Sequence, residues 1–246
     1  DAGVEYGTRR MMEYAKSRNL CRAVIVNKID HAEADTARVL ASLRDTFGPE
    51  LLPLNLPADG GTRIVDCLGY DGPVGEGETD LGPVAEWHQK IIDQVVEVNE
   101  TVMDRYLDLG EEGLSGEELH NAFEQCLREG HLVPVCFVST RSGTGIDDLL
   151  KIAGRLFPHP GEGNPPSFVK GSGDDAESIA AQPDPSAHVI ADVFKIINDP
   201  FVGKLGIFRV YQRTVKKDSQ LFNDDGKKPF KVAHLFKLKG KDHVEI

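Results

Sequence analysis

Two apolar periodicities alternate along the first 160 residues. Over 5–18, Met11, Met12, Tyr14 and Ala15 recur at helical spacing and predict a helix with one wide apolar face. The apolar run Cys21–Val26 then predicts a strand buried on both faces. Ala37, Leu40, Leu43 and Phe47 form the stripe of a second helix over 33–47, which Gly48-Pro49 ends. Leu51–Leu56 and Arg63–Tyr70 predict two strands joined by the turn Ala58-Asp59-Gly60-Gly61. Residues 71–82 are glycine-rich and acidic and predict a loop. One long helix is expected over about 83–108, with Ile91, Ile92, Val95, Val98, Val102 and Leu109 marking its buried side. Ser115-Gly116-Glu117-Glu118 has the form of a capping box that opens a helix through Arg128. Leu132–Val138 is a second buried strand, and Gly143 and Gly145 lead into a helix from Ile146 that ends near Phe157-Pro158. Strand and helix in alternation predict an α/β fold with a parallel, doubly wound sheet.

Past Pro158 the pattern changes. Residues 158–187 are rich in proline, glycine and acidic residues, which predicts a linker over 161–186. From 187 the period is two, with β-branched residues in His188–Ile197, Leu205–Thr214 and Pro229–Leu238 and a hairpin signal at Asp224-Asp225-Gly226. These predict the beginning of an all-β barrel or sandwich over 187–246. A length of 246 residues suits this division into two domains, and 40% hydrophobic with 28% charged residues is an ordinary globular balance.

Charge divides the chain at the same place. Residues 1–182 carry 16 Lys and Arg against 32 Asp and Glu, and residues 183–246 carry 12 against 8, so the halves stand at −16 and +4. The acidic part repels phosphate and is not a free nucleic-acid binder. A weak RNA contact and a plain solvated face remain open for the basic part. Cys21, Cys67, Cys126 and Cys136 form no C-x-x-C pair and read as reduced thiols, hence a cytoplasmic protein. Neither they nor the eight histidines show metal-ligand spacing, and no apolar run is long enough for a membrane helix.

The candidate chemistry follows the first strand. In Asn27-Lys28-Ile29-Asp30, the aspartate can accept hydrogen bonds from the N1–H and 2-amino group of guanine, the lysine stem can lie along the base, and the asparagine amide can brace neighbouring loops. Adenine lacks that pair of donors, and a site built around them rejects it by roughly 10⁴-fold or more. N-K-x-D also occurs by chance on surfaces; its place after a buried strand is what strengthens it. Ser139-Thr140-Arg141 follows the strand at 132–138 in the same manner, and a small residue there lets backbone N–H groups approach the base carbonyl. Alone, that loop reads as a plain strand-to-helix connection. Residues 31–138 separate the two loops, far more than a crossover needs, so a subdomain is inserted over about 50–130. His131, His188 and Asp147-Asp148 show no partners for acid–base work.

Several stretches together resemble elongation factor G. They are Gly3-Val4-Glu5-Tyr6-Gly7-Thr8-Arg9-Arg10-Met11, Asn27–Asp30, Phe47-Gly48-Pro49, Leu132-Val133-Pro134-Val135 and Asp199-Pro200-Phe201-Val202-Gly203-Lys204-Leu205. The resemblance runs over nearly the whole chain. It implies part of a doubly wound P-loop GTPase domain with an inserted α+β subdomain, followed by the start of an all-β barrel. It implies guanine recognition by Asn27, Lys28, Asp30, Ser139, Thr140 and Arg141, GTP or GDP with Mg²⁺ in the full-length protein, and a ribosome that the protein helps to move tRNA and mRNA. Ser139-Thr140-Arg141 departs from the Ser-Ala-Leu type of the family, which points to an elongation factor G-like paralogue; a housekeeping translocase and a ribosomal-protection relative stay open.

The family's G-x-x-x-x-G-K-[ST] phosphate loop and D-x-x-G-H segment occur nowhere in the 246 residues, so this chain is expected neither to hydrolyse GTP nor to bind it tightly. The start at Asp1 reads as a piece of a longer chain, with the strand at 21–27 left as an apolar edge that pairs with another chain or leaves a mobile N-terminal region. Two further readings stand beside this one. The acidic insertion around Glu111, Glu112, Glu117 and Glu118 could be an interaction module, although such a surface would not attract the acidic ribosomal stalk protein that faces it in the family. A different α/β enzyme with an accidental Asn27–Asp30 would keep the Ser139 loop away from Asp30.

Overall fold

The computed structural model describes residues 3–69, 73–159, 162–171, 176–200, 203–223, 228–240 and 242–246. The hairpin signal at Asp224-Asp225-Gly226 lies outside these. Two compact units result, one up to Asn164 and one from Pro165.

The first unit runs α1 (Tyr6–Ser17), β1 (Val24–Val26), α2 (Thr36–Phe47), β2 (Leu51–Pro53), β3 (Asn55–Ala58), β4 (Arg63–Asp66), β5 (Glu78–Thr79), β6 (Gly82–Pro83), α3 (Val84–Val96), α4 (Glu100–Leu109), a 3₁₀ turn at Glu111–Gly113, α5 (Gly116–Glu129), β7 (Val133–Phe137) and α6 (Ile146–Arg155). Its main sheet is parallel, in the order β1-β7-β2. Every residue of β7 is buried, as a central strand covered on both faces requires. Val133, Val135 and Phe137 join Met12 of α1 and Leu40 and Leu43 of α2 in one core, while Cys136 enters the other with Ile152 of α6. That second core continues into α3 and α5 through Ile91, Ile92, Val95, Phe123 and Cys126. The stretch from β3 to α5 therefore shares its core with one face of the sheet.

Several expectations need correction. β1 is shorter than 21–27, and at the edge of the sheet, where that strand was expected, Ile25 is 44% exposed rather than buried. Met12 is buried in α1, but Met11 and Tyr14 are exposed, so its apolar face is narrower than the periodicity suggested. Leu51–Leu56 is two strands: β2 joins the main sheet, and β3 pairs antiparallel with β4, which stops at Asp66. The long helix over 83–108 is α3 and α4, broken because the Asn99 side chain accepts hydrogen bonds from the N–H groups of Thr101 and Val102 and starts a new helix. Leu109, expected on the buried side, is exposed at that helix's end.

The capping box of α5 is present. The Ser115 hydroxyl accepts from the Glu118 N–H at 3.2 Å, and Glu118 accepts from the Ser115 N–H at 3.0 Å. Hydrogen bonds from the Ser115 hydroxyl, then from its N–H, hold the Glu118 carboxyl below its ordinary value of 4.5. A lowered folded-state value stabilises above the unfolded value and loses that contribution as pH falls through the folded one. Ser115→Ala is expected to cost about 1 kcal/mol at pH 7, read from urea unfolding. The gap between variant and wild type should narrow below pH 4.5 as Glu118 protonates in both.

The second unit is all β: β8 (Phe168–Lys170), β9 (Glu177–Ile179), β10 (Ile190–Asp199), β11 (Gly203–Gln212), β12 (Gln220–Leu221), β13 (Phe230–Lys231), β14 (Phe236–Lys239) and β15 (Asp242–Glu245). Among the described residues these pair as four antiparallel two-stranded ladders, β8-β9, β10-β11, β12-β13 and β14-β15. The 161–186 stretch, expected as linker, carries the β8-β9 ladder. Pro229–Leu238, expected as one strand, is split between β13 and β14, which pair with different neighbours.

Candidate functional site

Parallel strands deliver all their C-terminal loops to one end of the sheet. β1 and β7 are neighbours, so the loops after Val26 and Phe137 meet. The Val138 N–H donates to Val26 O at 2.9 Å and the Ile29 N–H to Val138 O at 3.4 Å. Asn27 then ties the loops together. Its Oδ1 accepts from the Lys28 N–H at 2.8 Å and the Thr140 N–H at 3.0 Å, and its Nδ2 donates to Thr140 Oγ1 at 3.2 Å. Lys28 sits at φ +67°, a left-handed conformation that a lysine adopts at a cost and that its neighbours must enforce.

All six residues singled out in the sequence lie in these two adjoining loops. Ile29 and Ser139 are buried and anchor them. Asn27, Lys28, Thr140 and Arg141 are exposed and Asp30 is half-buried. The Ser139 loop is closed on itself: the Ser139 N–H donates to Thr144 O, the Gly143 N–H to Ser139 O, and the Ser142 N–H to Ser139 Oγ. With the Thr140 N–H engaged by Asn27, the Arg141 N–H is an open donor of the loop among the described residues. On the neighbouring loop, Asp30 makes no hydrogen bond among the described residues. An open acceptor and an open donor on two braced loops suit a flat polar ligand that presents both.

Sequence reasoning missed the layer beneath these loops. Asn55, wholly buried, binds both backbone groups of Phe137. The signal was present, since Asn55 is the one polar residue in Leu51-Leu52-Pro53-Leu54-Asn55-Leu56. A separate cleft of about 420 Å³ opens at the other end of the sheet, lined by residues that precede the strands, among them Arg22, Glu50 and His131. It is remote from both loops. Among the described residues no group of three or more His, Cys, Asp or Glu is placed to hold a metal ion. The cysteines are free thiols, and burial pushes Cys67, Cys126 and Cys136 up to about 12, so these three are packing groups. No helix among the described residues is long and apolar enough to cross a membrane.

Comparison with known proteins decides the family. The elongation factor Tu GTP binding domain matches residues 1–159, well over half the chain. The chain belongs to that family. Two curated relatives, both named elongation factor G-like protein, come from two strains of Mycobacterium tuberculosis (CDC 1551 / Oshkosh and ATCC 25618 / H37Rv). Each is 30% identical over 226 residues, which is 88% of this chain and 31% of the relative. A crystal structure of a Thermus thermophilus protein superposes with a TM-score of 0.72 at 30% identity, covering 100% of this chain and 35% of that one. The chain thus spans about a third of the length of these relatives. Membership of the elongation factor Tu GTP binding domain family accounts for the mixed α/β fold of the first unit.

Proposed function

We propose that this chain is the base-reading part of a ribosome-associated translational GTPase, an elongation factor G-like protein of the cytoplasm. Asp30 accepts from guanine N1–H and the 2-amino group, the Lys28 stem lies along the base, and the Arg141 N–H meets its carbonyl. Asn27 and Thr140 fix the distance between the two walls, and Ser139 leaves room beside the base. The single observation that carries this is the half-buried Asp30, without a partner among the described residues, on a loop bonded to one whose Arg141 N–H makes no bond among them either. The elongation factor G-like name of the curated relatives and the Ser139-Thr140-Arg141 loop support a paralogue over a housekeeping translocase. Residues 1–160 are assigned to the GTPase domain with its insertion, and 187–246 to the start of the following barrel.

The bound nucleotide supplies the phosphoanhydride bond that the full-length enzyme hydrolyses with Mg²⁺. The described residues carry no G-x-x-x-x-G-K-[ST] phosphate loop and no group of three or more His, Cys, Asp or Glu placed to hold a metal ion. Ribosome binding and movement of tRNA and mRNA belong to the full-length protein.

Calorimetric titration of this chain with GDP is expected to give binding weaker than micromolar. Guanosine at millimolar concentration should nevertheless shift the amide resonances of Lys28–Asp30 and Thr140–Arg141, and adenosine should not. Micromolar or tighter GDP binding would remove the claim that the chain is inactive alone, and an equal response to adenosine would remove the guanine site.

A further inference from the structure

β7 loses its neighbour part-way along. β2 pairs with it from Val133 to Val135, and the Leu54 N–H still donates to Val135 O at 3.0 Å before the chain turns into β3. The N–H and C=O of Phe137 on that side would then be stranded in the core, a costly state for buried backbone groups. Asn55 meets both. The Phe137 N–H donates to Asn55 Oδ1 at 2.7 Å, and Asn55 Nδ2 donates to Phe137 O at 3.0 Å. A primary amide offers the same donor and acceptor as a peptide, so Asn55 adds one rung to the ladder two residues before Ser139.

The rest of the β3-β4 hairpin presses on the same loops. Gly61, in the turn at φ +77°, lies so close to Ile29 that a Cβ would collide with its carbonyl oxygen. The turn is itself held, because the N–H groups of Gly60 and Gly61 donate to the Asp80 carboxylate at 3.2 and 3.0 Å. Ile64 of β4 lies beneath Gly145, where a Cβ would fall 3.0 Å from Ile64 Cγ1 and would also strike Phe137 O.

We infer that the β3-β4 hairpin is the support that sets the spacing of the two base loops, with Asn55 positioning Ser139–Arg141 and Gly61 positioning Asn27–Asp30. This rests on the guanine role proposed above for those loops. The hairpin shares a core with α3 and α5 through Leu56 and Val65.

Three variants separate positioning from plain stability: Asn55→Leu, Gly61→Ala, and Ile92→Ala of α3 as a core control outside both loops. Amide hydrogen exchange is compared at equal distance from each variant's urea midpoint. Asn55→Leu should speed exchange at Ser139 and Thr140 tenfold or more beyond Ile92→Ala. Gly61→Ala, which pushes on the Ile29 backbone, should do the same at Ile29. Both should reduce the guanosine-dependent shifts, while Ile92→Ala leaves them in place. Exchange at both loops that rises no more than in Ile92→Ala overturns the inference, and Gly61→Ala decides it alone where Asn55→Leu does not fold. A wild-type protein without guanosine-dependent shifts removes the base reading, and the exchange comparison still decides whether the hairpin holds the loops.

Discussion

Asp30→Asn is expected to lower affinity for guanine nucleotides by about 10²–10⁴-fold. Each hydrogen bond to a charged acceptor contributes about 1.5–3 kcal/mol, and the substitution replaces one acceptor oxygen by an N–H group and takes the charge from the other, a loss of roughly 3–6 kcal/mol in all. It also turns an N–H toward the donors of guanine, so the loss is not only of attraction. That N–H suits a base with a carbonyl at position 2, and xanthosine should gain where guanosine loses. The measurement is a parallel titration of wild type and variant with both nucleosides, followed by the amide shifts of Lys28 and Arg141. Asp30 has no partner to lose among the described residues, so the urea midpoint should hardly move. A variant that keeps its response to guanosine takes Asp30 out of the site. A variant that loses stability instead assigns Asp30 a structural role.

Phe123→Ala is expected to be the most damaging single change to the first unit. Phe123 of α5 is 1% exposed and packs in the core that α3, α5 and one face of the main sheet share. Truncating a buried phenylalanine costs about 3–5 kcal/mol, through lost transfer energy and the cavity left behind. Domains of this size have about 5–15 kcal/mol to lose, so the variant should unfold at far lower urea. Trp87 is the sole tryptophan, half-buried against both cores, and its fluorescence reports this unit alone. A loss under 1 kcal/mol would mean that α5 is an appendage and that the insertion does not share the sheet's core.

The fold was legible where the code is local. The capping box at Ser115 could be read because its two bonds join residues three apart. β7 could be read because a strand covered on both faces must be apolar throughout. The break between α3 and α4 escaped because Val98 and Val102 keep the helical period across it, and only the Asn99 side chain interrupts the backbone ladder. The division of Leu51–Leu56 escaped for a related reason. Apolar pattern marks a strand but not its partner, and β2 and β3 pair with different ones.

The same boundary runs through the candidate site. Sequence alone determined the residue types at the two loops, the strands that carry them, and the length of chain between them, because each depends on near neighbours. Tertiary structure decided that Asn27 grips Thr140, 113 positions away, and that Asn55 completes the ladder of Phe137, 82 positions away. Those bonds exist because buried backbone groups must find a partner wherever the path of the chain leaves one. That path is set by how the parallel strands and the insertion pack together, which no local pattern encodes.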